Sequence, residues 1–141
     1  MLMKKAGIIL ALFAMLLAAC NHPNDSNAEE DDLPRLITLI CSPDSRFEPC
    51  QDLQLNDPDE IRVIVKAIKQ AEPLPGMPNY VAQYKLNITN KDDSLTTYDF
   101  SIGSEPDMNA LLVRNEDNST GYIIPIENSN QVRKVIESHT D

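Results

Sequence analysis

The sequence predicts an α+β domain: a mostly antiparallel sheet, in the element order β-α-β-β-β-β-α, with two helices packed on one face. Three observations predict it. Two segments repeat apolar residues at the helical period, one around Ile61 to Ile68 and one around Val132 to Ile136. Between them, apolar and polar residues alternate with period two, the pattern of half-buried strands. Short polar turns join these runs as hairpins.

Residues 35–41, Arg-Leu-Ile-Thr-Leu-Ile-Cys, are apolar and β-branched and form the first strand. Asp57-Pro58-Asp59-Glu60 starts a helix, with Asp57 as N-cap, Pro58 at the first helical position and Glu60 as the capping-box acid. Ile61, Ile64, Val65, Ile68 and Ala71 form its apolar stripe, and Arg62, Lys66 and Lys69 lie off it. The Pro-rich segment from Pro73 to Pro78 stops the helix. Tyr80, Ala82, Tyr84, Leu86 and Ile88 then alternate with Val81, Gln83, Lys85 and Asn87 as a strand. Asn90 to Asp93 is turn chemistry, and Tyr98, Phe100 and Ile102 mark the returning strand. A second pair follows at 110–114 and 122–126, around a polar turn at 115–121. Asn128 or Ser129 caps a last helix carrying Val132, Val135 and Ile136.

The N-terminus carries a different message. Lys4 and Lys5 precede an uncharged stretch, residues 6–19, too short to span a bilayer and suited to a signal peptide. It ends in Leu17-Ala18-Ala19-Cys20, which resembles the lipobox of bacterial lipoproteins. Cys20 would receive a diacylglyceryl unit, with palmitate among its acyl chains, and two chains give stable attachment where one does not. The competing reading is an ordinary secretory signal with Cys20 as a chance thiol. Residues 20–32, polar and then acidic, form a tether, and residues 33–141 form the single domain. Removing Lys4 and Lys5 takes the formal charge from −10 to −12. Such a field excludes nucleic acid and repels anionic lipid, and it favours cationic partners.

With Cys20 assigned to lipid, Cys41 and Cys50 remain as an even pair in an oxidising compartment and are expected to form a disulfide. Metal binding is the alternative. It lacks ligands, because the two histidines are His22 and His139, near the ends of the mature chain. The same placement weakens any Cys-His or Ser-His-Asp nucleophile.

Further family likeness is carried by Asp59-Glu60-Ile61, Met77-Pro78-Asn79-Tyr80, Tyr98-Asp99-Phe100-Ser101-Ile102, Leu111-Leu112-Val113 and Gly121-Tyr122-Ile123-Ile124, followed by the terminal helix. From Asp57 onward the chain resembles the YhfM-like domain of small lipoproteins from Bacillus-type bacteria. It departs from that pattern in having no Trp in the third strand. The resemblance implies a lipid-anchored extracytoplasmic protein and assigns no reaction.

Several residue sets suggest chemistry. Glu116, Asn118, Thr120, Gly121 and Glu127 occupy positions 1, 3, 5, 6 and 12 of a calcium-loop frame, but Ile124 stands at position 9 and the flanks read as strand, which favours a plain hairpin turn and no metal site. Asp99 with Glu105 or Asp107 could pair as catalytic acids, although acids on the wet face of a hairpin are usually only solvated. Asn87-Ile88-Thr89 and Asn118-Ser119-Thr120 match a glycosylation sequon by chance. Tyr80, Tyr84 and Tyr98 read as core or core-edge residues, with a binding surface as the alternative. Arg46 and Phe47, in the loop closed by Cys41 and Cys50, are candidate partner contacts.

The expected function is a non-enzymatic accessory or interaction module, needing no cofactor, lipid-anchored on the extracytoplasmic face of the cell membrane and binding an envelope protein. The alternative is an inhibitor or immunity-type protein that blocks a cationic envelope hydrolase. A small hydrolase is the third class, and it requires a titrating pair in a cleft.

Overall fold

The computed structural model describes residues 32–46, 50–76, 78–103 and 105–140. The predicted signal peptide, Cys20 and nearly all of the tether lie outside the described residues. The elements are β1 (Leu36–Cys41), β2 (Leu53–Leu55), α1 (Pro58–Lys69), β3 (Glu72–Leu74), β4 (Tyr84–Thr89), β5 (Leu95–Ser101), β6 (Leu111–Arg114), β7 (Asp117–Ile123) and α2 (Ile126–Glu137). One seven-stranded sheet has the order β2-β1-β4-β5-β6-β7-β3, and every neighbouring pair is antiparallel.

The predicted α+β class is the observed one, with two short strands added at the sheet edges. β2 is a Leu-Gln-Leu triplet that buries Leu53 and Leu55 beside β1. β3 contains Pro73, which an edge strand tolerates because no second neighbour needs its amide.

Helix α1 starts with the predicted Asp57 cap and Pro58, but Glu60 closes no capping box, because its carboxylate turns to His139 of the C-terminal segment instead. The Asp57 carboxylate accepts from the amides of Asp59 at 2.8 Å and Glu60 at 3.4 Å, with Pro58 opening the first turn. Its Ile61, Ile64 and Ala67 meet Val132 and Ile136 of α2 over the sheet residues Leu39, Leu86, Phe100 and Leu112 and over Ile124, which follows β7. Both helices thus cover one face. The gap left between them and the sheet is about 10 Å³, too small for a ligand.

Three boundaries differ from the sequence reading. The strand expected from Tyr80 begins at Tyr84, because 78–83 crosses the outer face instead. There Pro78 packs on Gly121, the Tyr80 hydroxyl donates to Asp99, and the Val81 carbonyl accepts from the Ser101 hydroxyl. The polar segment 115–121 is mostly strand: only Asn115 and Glu116 turn, and β7 then runs on to Ile123 through a register shift. Helix α2 starts at Ile126 after Pro125, without a side-chain cap, so Asn128 and Ser129 lie inside it and are buried. A tertiary partner outcompetes the capping role. The Ser129 hydroxyl accepts from the Ala110 amide at 2.9 Å and donates to the Ile124 carbonyl at 3.0 Å.

Candidate functional site

The outer face of the sheet carries the side chains that alternate out of the core. Across β1, β4 and β5 the register aligns Thr38, Asn87 and Thr97 in one row and Ile40, Lys85 and Asp99 in the next. The first row is self-satisfied: Thr97 Oγ1 donates to Asn87 Oδ1 at 2.9 Å, and Asn87 Nδ2 donates to Thr38 Oγ1 at 3.4 Å. The second row is not. It opens into a groove of about 580 Å³ walled by Ser42, Pro43 and Asp44 on one side and by Tyr80, Val81 and Ala82 on the other.

Both walls have identifiable supports. Cys41, at the end of β1, is disulfide-bonded to Cys50 with a Cα–Cα separation of 5.9 Å. The Cys41 amide also donates to Asp52 Oδ1 at 2.7 Å, and the Ser42 amide to the Gln83 carbonyl at 2.9 Å. The opposite wall is pinned by Tyr80 Oη, which donates to Asp99 Oδ2 at 2.9 Å. Burial, then the hydrogen bond to Asp99 and that carboxylate's charge, push the Tyr80 phenol up to about 12. At neutral pH Tyr80 is therefore a donor and not a base. Tyr84, at the groove's edge, turns its ring to the helix-covered face, where it is buried and stacks on Phe100 with ring centroids 6.4 Å apart, and burial raises its phenol as well.

The groove and the chain entrance lie at opposite ends of the sheet. The described chain enters beside the β4–β5 turn, where the Arg35 amide donates to the Thr89 carbonyl at 3.0 Å and the Arg35 guanidinium meets Asp93 at 2.6 Å. β1 then carries the chain roughly 17 Å, at about 3.3 Å per residue, to Cys41 at the far end.

The residues singled out in the sequence distribute as follows. Cys41 and Cys50 flank the groove wall. Arg46 is exposed just beyond it, and Phe47 lies outside the described residues. Glu116 sits in the β6–β7 turn with Arg114 Nε 4.0 Å away; Asn118, Thr120 and Gly121 fall on the strand β7, and Glu127 falls in the first turn of α2. The calcium-loop frame is thus spread along a strand and a helix rather than wound into one loop. Among the described residues no group of three or more His, Cys, Asp or Glu is placed to hold a metal ion. Asp99 takes the Tyr80 hydroxyl, whereas Asp107 takes Asn130 Nδ2 at 2.8 Å beside α2, so each carboxylate has its own partner. His139 hydrogen-bonds Glu60 at 2.8 Å, on the helical side. Tyr98 lies half-buried on the inner face, in a hollow of about 150 Å³ with Ile68, Arg114 and Tyr122.

No sequence motif gathers Ile40, Asp44, Val81 and Lys85, which the fold brings to one groove. A signal for two of them is present: Ile40 and Val81 are apolar residues at positions where their strand patterns face water, and they are 44% and 47% exposed. Among the described residues no helix is long and apolar enough to cross a membrane. No family model, curated protein or solved structure matches the chain.

Proposed function

We propose that this chain is a lipid-anchored lipoprotein of the extracytoplasmic membrane face, of the YhfM-like kind, and a non-enzymatic interaction module that meets an envelope protein through the groove. One observation carries the reading: the chain enters at one end of the sheet and the groove opens at the other. A domain tethered through residues 20–32 would hold that groove away from the bilayer. The lipobox ending in Cys20 and the acidic run Glu29-Glu30-Asp31-Asp32 support the same arrangement, since an anionic surface repels the tether. A charge of −12 after processing and the disulfide-stapled loop favour one second reading, an inhibitor or immunity-type protein that blocks a cationic envelope hydrolase.

The test is crosslinking in cells that express the chain, capture from solubilised membranes and mass spectrometry, with Cys20→Ala as control. An envelope protein enriched only with the membrane-bound form is the expected result, and a hydrolase lost in moderate salt would select the second reading. Equal recovery from the Cys20→Ala form would overturn the anchor. Recovery of no partner with well-expressed, folded chain would overturn the interaction module.

A further inference from the structure

Resting on the interaction-module reading, we propose that the groove binds an extended peptide segment of a partner protein that carries basic side chains flanking an apolar one. The lining supplies both halves of the recognition. Ile40, in the sheet row, and Val81, on the 80–82 wall, are exposed aliphatic side chains, and Pro43 lines the other wall, so an apolar side chain entering the groove removes apolar surface of both partners from water. A volume of about 580 Å³ holds a few side chains and not a folded domain.

The charge of the lining decides the polarity of the partner. Among the described lining residues, Asp44 and Asp99 provide two carboxylates against the one ammonium of Lys85. Tyr80 occupies Oδ2 of Asp99 and leaves Oδ1 to accept from a second donor. The whole chain carries −10, which steers a cationic segment toward the domain and repels an acidic one. Lys85 stands between Ile40 and Asp99 in the row and opposes such a ligand, so its removal strengthens binding. A glycan fits the lining less well. Sugar rings stack on open aromatic faces, and among the described residues the one tyrosine on a groove wall, Tyr80, is half-buried and hydrogen-bonded to Asp99.

The experiment measures fluorescence anisotropy of a fluorescein-labelled Ala-Lys-Leu-Lys-Ala peptide, and of its Ala-Glu-Leu-Glu-Ala counterpart, with the full chain in a nonionic detergent. Saturable binding of the lysine peptide alone is expected, weakening as salt rises. Asp44→Asn and Asp99→Asn each weaken it about two- to fivefold, and Lys85→Ala tightens it by a similar factor. Asparagine at 99 keeps an acceptor for Tyr80, so the wall stays in place. Ile40→Ser with Val81→Ser weakens binding by about tenfold. Equal binding of the glutamate peptide overturns the proposal, as does indifference to Asp44→Asn and Lys85→Ala. Displacement of the lysine peptide by soluble envelope glycan strands at lower concentration overturns it too. A photo-crosslinker at position 81 separates the two levels: an envelope protein captured there without affinity for the lysine peptide removes this ligand class and keeps the interaction module. Failure of both removes both.

Discussion

Replacing Ser129 by Ala removes one hydroxyl from a site with no solvent, and the cost follows from what that hydroxyl joins. Ser129 is completely buried in α2, and its Oγ accepts from the Ala110 amide while donating to the Ile124 carbonyl. The carbonyl keeps a donor, because Asn109 Nδ2 reaches it at 2.8 Å. The Ala110 amide keeps nothing, and Ala110 is itself fully buried. An orphaned buried amide costs about 1–3 kcal/mol. Alanine recovers up to about 0.5 kcal/mol through better helix propensity. The net loss is therefore about 1–2 kcal/mol, which lowers Tm by about 5–15 °C for a domain near 100 residues. Urea unfolding followed by circular dichroism reads it, and the midpoint should fall with the slope unchanged. Ser138→Ala is the control: its hydroxyl meets the Val135 carbonyl at the exposed end of the helix, and it should cost less than about 0.5 kcal/mol. Equal stability of the two variants would refute the assignment of Ser129 as the bolt between α2 and the 109–110 segment.

Opening the disulfide with Cys41→Ser and Cys50→Ser should cost about 2–3 kcal/mol in the same unfolding assay, from the short loop it closes. Alkaline titration of tyrosine absorbance should show Tyr80 ionising near pH 12, and Asp99→Asn should lower that value without restoring 10, because burial is the larger cause. The unfolded chain loses this proton first, so the contribution of Tyr80 to stability is full below pH 10 and falls as pH rises toward 12. Gly121→Ala places a Cβ 3.2 Å from Pro78 Cγ and 3.3 Å from Pro78 Cβ, and should cost about 1 kcal/mol or more. Adding Pro78→Ala should recover part of that loss, a coupling that a double-mutant cycle measures.

The segments legible in the sequence are those whose local pattern and tertiary environment agree. Asp57-Pro58-Asp59-Glu60 opens α1 where capping chemistry dictates, and the Asn90 to Asp93 turn closes the β4–β5 hairpin with Asp93 at positive φ. β2 was illegible because three residues give no measurable period, and Leu53 and Leu55 become a strand only beside β1. β3 was masked by Pro73, which ends a helix pattern yet suits a sheet edge. Polar residues 117–120 read as turn because their side chains match no strand pattern, although pairing on both sides of the β6–β7 turn extends the backbone. For the candidate site, the pairing of Cys41 with Cys50 was legible from parity and compartment. The groove was not, since Asp44, Val81 and Lys85 come from three segments that only the register and the 78–83 crossing bring together.

The most direct test of the account is photo-crosslinking in living cells from position 81, in the groove, compared with position 134 on the exposed side of α2. The account predicts a discrete crosslinked product with an envelope protein from position 81, absent from position 134 and lost in the Cys20→Ala chain. Equal products from both positions, or none from a folded chain at position 81, would contradict a module that works through this groove.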